Sequence, residues 1–164
     1  MENGRNGELV LILLAEDDDD DYFLTCKALQ ENRLRNQLIR VKDGEELMSY
    51  LRREGQFTEP EKSPEPSLIL LDLNMPRKDG REALREIKGD EKLCHIPVVA
   101  LTTSRADEDV VRSYQFGVNS FITKPVTFQG LVEAMKALGL VRGGGVADVH
   151  RRKAHGTRCK AIRP

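Results

Sequence analysis

The chain has 164 residues, of which 39% are hydrophobic and 32% charged, with a formal net charge of -1. That size suits one ordinary domain with a sizeable core and some residues left over, and the near-neutral balance excludes a chain that is basic throughout, as a general nucleic-acid binder is. The most apolar early run, Leu9 to Ala15, is far too short to span a bilayer and leads into acids, so no membrane contact and a cytoplasmic location are expected.

Residues 1–8 are polar and rich in Gly and Asn, and read as a flexible lead-in. Leu9 to Ala15 reads as the first strand and ends in Glu16 and Asp17 to Asp21. A helix follows, with Phe23, Leu24, Cys26, Ala28 and Leu29 at helical spacing and acids at the positive end of its dipole. Leu38 to Val41 makes a second strand, and the Asp43-Gly44 turn feeds a helix through Leu47, Met48, Tyr50 and Leu51. Arg53 to Ser67 carries Pro60, Pro64 and Pro66 and reads as a freely varying loop.

Leu68 to Leu71 is a run of four apolar residues between Pro66 and Pro76, too short for a helix core, and reads as a strand buried on both faces. Asp72 is the first charge after it. A helix through Ala83, Leu84 and Ile87 stops near Gly89, and Ile96 to Leu101 forms the fourth strand, ending in Thr102-Thr103-Ser104. Ser104 and Asp107 have capping-box spacing for a helix through Val110, Val111 and Tyr114 that closes at Gly117. Ser120 to Thr123 is the fifth strand, followed by Lys124-Pro125 and a last helix with Leu131, Met135 and Leu138 that Gly139 ends. Cys26, Cys94 and Cys159 lack CxxC spacing, which argues against a disulfide framework or a zinc cluster and for reduced thiols. Five strands alternating with five helices predict an α/β fold: a doubly wound, five-stranded parallel sheet with helices on both faces, over residues 9–140. Residues 141–164 form a basic tail without apolar period, expected to be disordered; the alternative is an electrostatic arm for nucleic acid or an acidic partner.

In such a sheet all strand carboxyl ends share one edge, where open α/β sheets place their ligand crevices. That edge collects Glu16 and Asp17 from the first strand, Asp72 from the third, Thr102 from the fourth and Lys124 from the fifth. Three crowded carboxylates repel unless a cation joins them, and oxygen ligands of this kind suit Mg²⁺. A carboxylate held ionised beside a metal is a ready nucleophile for phosphoryl transfer, and a hydroxyl and an ammonium on the same edge can bind the oxygens of the transferred group. Taken singly, each residue has an ordinary reading: Asp72 a loop cap, Thr102 a strand-end backbone partner, Lys124 a surface charge, Asp18 to Asp21 a solvated acidic turn. Their convergence from four strands is what singles them out.

Leu13-Leu14-Ala15-Glu16-Asp17-Asp18, Leu70-Leu71-Asp72-Leu73-Asn74-Met75-Pro76 with Asp79-Gly80, Pro97 to Ser104, and Lys124-Pro125 together resemble the receiver domain of two-component response regulators, the CheY-like family. The likeness runs from Leu9 to Gly139. The loop before Ser67 and Asp79 to Leu84 look similar to the regulators that partner bacterial phytochromes. The resemblance implies that Asp72 accepts a phosphoryl group from a phosphohistidine of a sensor histidine kinase. It further implies that Asp17, Asp72 and the backbone carbonyl of Asn74 hold Mg²⁺ with Glu16 assisting through water, and that Thr102 and Lys124 bind the phosphoryl oxygens. A cis Lys124-Pro125 bond and a switch role for Thr102 and Phe121 are implied as well. Phosphate would then reshape the surface of the fourth helix, fifth strand and fifth helix for homodimerisation or target binding. Phe121 lacks the hydroxyl of a Tyr, and Asp18-Asp19 stand where Asn-Pro is commoner.

Three rival readings fit the residues less well. A haloacid-dehalogenase-type phosphatase would use Asp18 with Asp20 and a late acidic pair, but Glu133 and Asp148 are the only acids after Lys124. A flavodoxin-like FMN binder would place its phosphate loop where this chain has six acids, which repel the ligand. A receiver-like binding module that is never phosphorylated would not need Asp72, Thr102 and Lys124 together. No second domain fits in the remaining length, so sequence-specific DNA binding is not expected.

Overall fold

The computed structural model describes residues 9–31, 36–113, 118, 120–139, 141–142 and 145–146. The elements are β1 (Val10–Ala15), α1 (Asp19–Glu31), β2 (Asn36–Val41), α2 (Gly44–Arg52), β3 (Leu68–Asp72), α3 (Gly80–Gly89), β4 (Val98–Thr102), α4 (Arg105–Ser113), β5 (Ser120–Thr123) and α5 (Phe128–Ala137). All five strands pair in parallel in the order β2-β1-β3-β4-β5. The expected doubly wound sheet is therefore present. Because β1 pairs with both β2 and β3, the chain reverses its direction of winding there, and the carboxyl ends of β1 and β3 flank the switch point.

Alternation along the buried strands divides the core into two layers. Leu13, Ala15, Ile69, Leu71, Val98 and Ala100 face α2 and α3 through Leu47, Met48, Tyr50, Ala83, Leu84 and Ile87. Val10, Ile12, Leu14, Leu68, Leu70, Val99 and Leu101 face α1 and α5 through Ala28, Leu29, Leu131, Ala134 and Met135. Every residue of β1, β3 and β4 is buried, which is why these strands read as continuous apolar runs. Each fully buried Leu or Ile contributes about 2 kcal/mol of transfer free energy.

Helix entries follow local chemistry. Asp43 caps α2 by accepting from the Glu46 N–H, Asp79 caps α3 through the Arg81 N–H, and Thr127 caps α5 through the Gly130 N–H. At α4, Ser104 Oγ accepts from the Asp107 N–H at 3.2 Å, but the Asp107 carboxylate pairs with Arg81 and so does not close the expected capping box.

Several expectations need correction. The first strand begins at Val10, with Leu9 48% exposed, and the fourth runs from Val98 to Thr102. On α1, Phe23 is 67% and Leu24 39% exposed; of the expected apolar set Ala28 and Leu29 turn inward, joined by Thr25. The loop after α2 is anchored: it holds a single 3-10 turn, Gly55–Phe57, buried Ser63 donates to the Phe57 carbonyl at 2.7 Å, and the Tyr50 hydroxyl donates to the Pro64 carbonyl at 2.8 Å. Cys94 is engaged in a disulfide whereas Cys26 is a free thiol, so the reduced-thiol reading holds for Cys26. Beyond α5, Val141–Arg142 and Gly145–Val146 form a two-residue antiparallel pair. The lead-in at 1–8, the closure of α4 at Tyr114 to Gly117 and the tail from 147 onward lie outside the described residues.

Candidate functional site

The carboxyl edge of the sheet brings the expected side chains together. Glu16 and Asp17 follow β1, Asp72 ends β3, Thr102 ends β4 and Lys124 follows β5. Lys124 is the hub: its ammonium lies 2.7 Å from Glu16 Oε2, 2.9 Å from Asp21 Oδ2 and 3.1 Å from Asp72 Oδ2. Glu16 is fully buried and Asp72 nearly so, whereas Asp17 is exposed. The second Asp72 oxygen accepts from the Asn74 N–H at 3.0 Å, so the loop after β3 holds the carboxylate in place while the Asn74 side chain faces solvent.

The electrostatics are those of a crowded anionic site. Burial, reinforced by the charge of Asp72, pushes the Glu16 carboxyl up to about 7 against the downward pull of Lys124. Burial acts to lower the Lys124 ammonium, but its contacts with Glu16, Asp21 and Asp72 outweigh that and hold it above the usual lysine range. Glu16, Asp17 and Asp72 each offer one oxygen within 4.8 Å of the others. Glu16 Oε2 is buried and, among the described residues, its only close cation is Lys124, 2.7 Å away, so the carboxylate keeps lone-pair capacity beyond that contact. Hard carboxylate oxygens gathered in this way fit a divalent cation such as Mg²⁺ or Mn²⁺.

The other expected residues occupy less committed positions. Thr102 is fully buried; its hydroxyl donates to the Ser104 carbonyl at 2.8 Å and accepts from the Ser104 N–H at 3.2 Å. Phe121 is half-buried against the layer under α2 and α3. The Lys124-Pro125 bond is cis, as the resemblance implies.

Two residues were missed by sequence reading. Asp21 reads as one of the solvated acids, yet from the first turn of α1 its carboxylate reaches Lys124. Asp18 also has a local task, accepting from the Asp21 N–H at 2.8 Å at the entry to α1. Arg40 was absorbed into the second strand, although a lone charge between Ile39 and Val41 needs explaining. It donates to the Glu16 carbonyl at 2.9 Å and to the Asp17 carbonyl at 3.2 Å.

The sequence profile of the response regulator receiver domain matches residues 12–136, a span that contains all of these residues. The chain belongs to the response regulator receiver family. The receiver is similar to the response regulator Rcp1 of Synechocystis sp. (strain ATCC 27184 / PCC 6803 / Kazusa), 42% identical over 128 residues that cover 78% of this chain and 85% of that one. Among solved structures it resembles the bacteriophytochrome response regulator AtBRR, with 43% identity, a TM-score of 0.76 and coverage of 83% and 96% of the two chains. It also resembles the phosphorylated cyanobacterial phytochrome response regulator RcpA, with 42% identity, a TM-score of 0.67 and coverage of 80% and 91%. This receiver is thus related to phytochrome response regulators.

Proposed function

We propose that Asp72 accepts a phosphoryl group from a phosphohistidine of a sensor histidine kinase, and that the sensor is a bacterial phytochrome, as the names of the relatives suggest. The observation that carries this reading is the Lys124 ammonium 3.1 Å from Asp72 at the sheet's switch point, with Glu16 on the same ammonium. One Asp72 oxygen forms the new bond to phosphorus while the bond from phosphorus to the donor imidazole nitrogen breaks, and that nitrogen leaves with the electron pair. Lys124 takes one phosphoryl oxygen from its present position beside Asp72. The Thr102 hydroxyl leaves the Ser104 backbone to take another, and Phe121 turns inward behind it.

Asp17, Asp72 and the Asn74 carbonyl would hold Mg²⁺, with Glu16 assisting through water; the cation supplies neutralising charge for a phosphoryl group among carboxylates. Its fit rests on the three convergent carboxylate oxygens of Glu16, Asp17 and Asp72. The protein is on this reading a phosphoacceptor that assists its own phosphorylation and dephosphorylation, acts in the cytoplasm, and is not a turnover enzyme. Output would pass through the surface of α4, β5 and α5 to a partner or to a second copy; equal molecular size with and without beryllofluoride at every concentration would rule out regulated dimerisation.

The deciding test is incubation with acetyl phosphate and Mg²⁺ followed by intact-mass measurement. The wild type should gain one phosphoryl group and Asp72→Asn none. An unmodified wild type would overturn the reading.

A further inference from the structure

Arg40 belongs to β2, where it lies opposite Leu14 of β1, and its side chain is 14% exposed. Each part of its guanidinium is engaged. Nε donates to the Glu16 carbonyl at 2.9 Å, Nη2 donates to the Asp17 carbonyl at 3.2 Å, and Nη1 pairs with Asp19 Oδ1 at 2.8 Å. The plane lies over Tyr22, with Cζ 4.4 Å from the ring centroid. A guanidinium presents a rigid fork of donors, so one side chain can fix two successive carbonyls; an ammonium is a point charge and cannot hold the same pair.

The two carbonyls belong to the residues whose carboxylates converge with Asp72. They sit where β1 ends and five aspartates in succession, Asp17 to Asp21, push one another apart. We infer that Arg40 is a positioning residue: by holding the backbone of Glu16 and Asp17 it directs their carboxylates toward one divalent cation. This rests on the proposed Mg²⁺ site and adds to it a residue that touches neither the cation nor the phosphoryl group.

The sign of the effect separates positioning from charge. As a cation close to the site, Arg40 repels Mg²⁺, so by charge alone its removal should tighten metal binding. If Arg40 positions the ligands, its removal loosens binding. A purely structural role lowers stability and leaves the affinity of the folded protein unchanged.

The test is calorimetric titration with Mg²⁺ alone, at fixed ionic strength, with denaturant unfolding in EDTA alongside. Arg40→Met should weaken Mg²⁺ binding about tenfold or more, the usual size of losing a partner behind a metal ligand. Arg40→Lys should fall between, and Asp19→Ala, which spares both carbonyl bonds, should change little. Unchanged or tighter binding in Arg40→Met overturns the assignment, as does a loss in Asp19→Ala equal to that in Arg40→Met. Should Arg40→Met fail to fold, Arg40→Lys decides, since it keeps the charge: weaker binding supports positioning and wild-type binding rejects it. A wild type that takes up no Mg²⁺ removes the metal reading and this inference with it, an outcome distinct from wild-type binding that Arg40 variants leave intact.

Discussion

Lys124 is a single ammonium among the three carboxylates of Glu16, Asp21 and Asp72, and the Glu16 carboxyl is elevated first by its burial and then by the charge of Asp72. On the proposed function, such a site trades stability for readiness to bind a cation and a phosphoryl group. Replacing Asp72 by Asn removes one nearly buried charge but leaves the Lys124 pairs with Glu16 and Asp21. We therefore expect Asp72→Asn to raise the unfolding free energy in EDTA by about 1 kcal/mol and to lack the further stabilisation by Mg²⁺ that the proposed site predicts for the wild type. Denaturant titrations with and without Mg²⁺ measure both; a variant less stable than wild type in EDTA would show that the Lys124–Asp72 pair outweighs the repulsion. Lys124→Met has the opposite sign. It leaves Glu16 and Asp72 buried without a counter-charge and should cost about 3–5 kcal/mol in EDTA, part of which Mg²⁺ restores. Recovery of nothing on adding Mg²⁺ would argue against a cation among these oxygens.

At the scale of elements, the site depends on how closely α3 approaches the end of β3. A Cβ on Gly80 would stand 2.2 Å from the Asp72 carbonyl oxygen and 2.7 Å from Leu73 Cα, both backbone atoms that cannot swing aside. Gly80→Ala should therefore cost about 1–3 kcal/mol or more and, by displacing Asp72, reduce phosphoryl uptake from acetyl phosphate beyond what the stability loss explains. Full uptake at normal rate would show that the loop absorbs the strain without moving Asp72. The strands and most helices were legible because buried strands are continuous apolar runs and α2, α3 and α5 carry narrow apolar stripes. α1 was legible as a helix but not in its orientation: its apolar residues spread round the cylinder, and only packing against α5 and the sheet decides that Ala28 and Leu29 turn in and Phe23 and Leu24 out. The strand-end set Glu16, Asp17, Asp72, Thr102 and Lys124 could be read because topology alone brings strand ends together. Asp21 and Arg40 could not, since their roles depend on where the long side chains of Lys124 and Arg40 reach after folding. The same holds for Tyr50, which ties the loop after α2 at Pro64 with no signal in its local sequence.

Across the whole molecule, the two ends of the sheet bear different burdens. The carboxyl edge holds the anionic site, while near the amino edge Lys88 of α3 closes the connection into β4, its ammonium donating to the Cys94 carbonyl at 3.3 Å and the Ile96 carbonyl at 3.2 Å. Among the described residues no carboxylate pairs with it, and burial lowers it from the ordinary 10.5 to about 8. Below pH 8 the ammonium is charged in both folded and unfolded chains, and the folded state bears the full cost of desolvating it. Between about 8 and 10.5 the folded chain sheds the proton first, the unfolded chain binds more protons, and stability from this group rises with pH; above 10.5 it levels off. The Lys88→Met variant lacks this term, although it also loses two carbonyl bonds worth about 1 kcal/mol each, so its offset at neutral pH has competing parts. Its slope does not. The wild-type minus Lys88→Met difference in unfolding free energy, measured in denaturant at pH 7.5 and again at 9.5, should move in favour of the wild type as pH rises. Subtraction removes the contribution of every other group that titrates in the same range, and a flat or reversed difference would mean that Lys88 keeps its proton through the interval because the two carbonyls stabilise the ammonium more than burial opposes it.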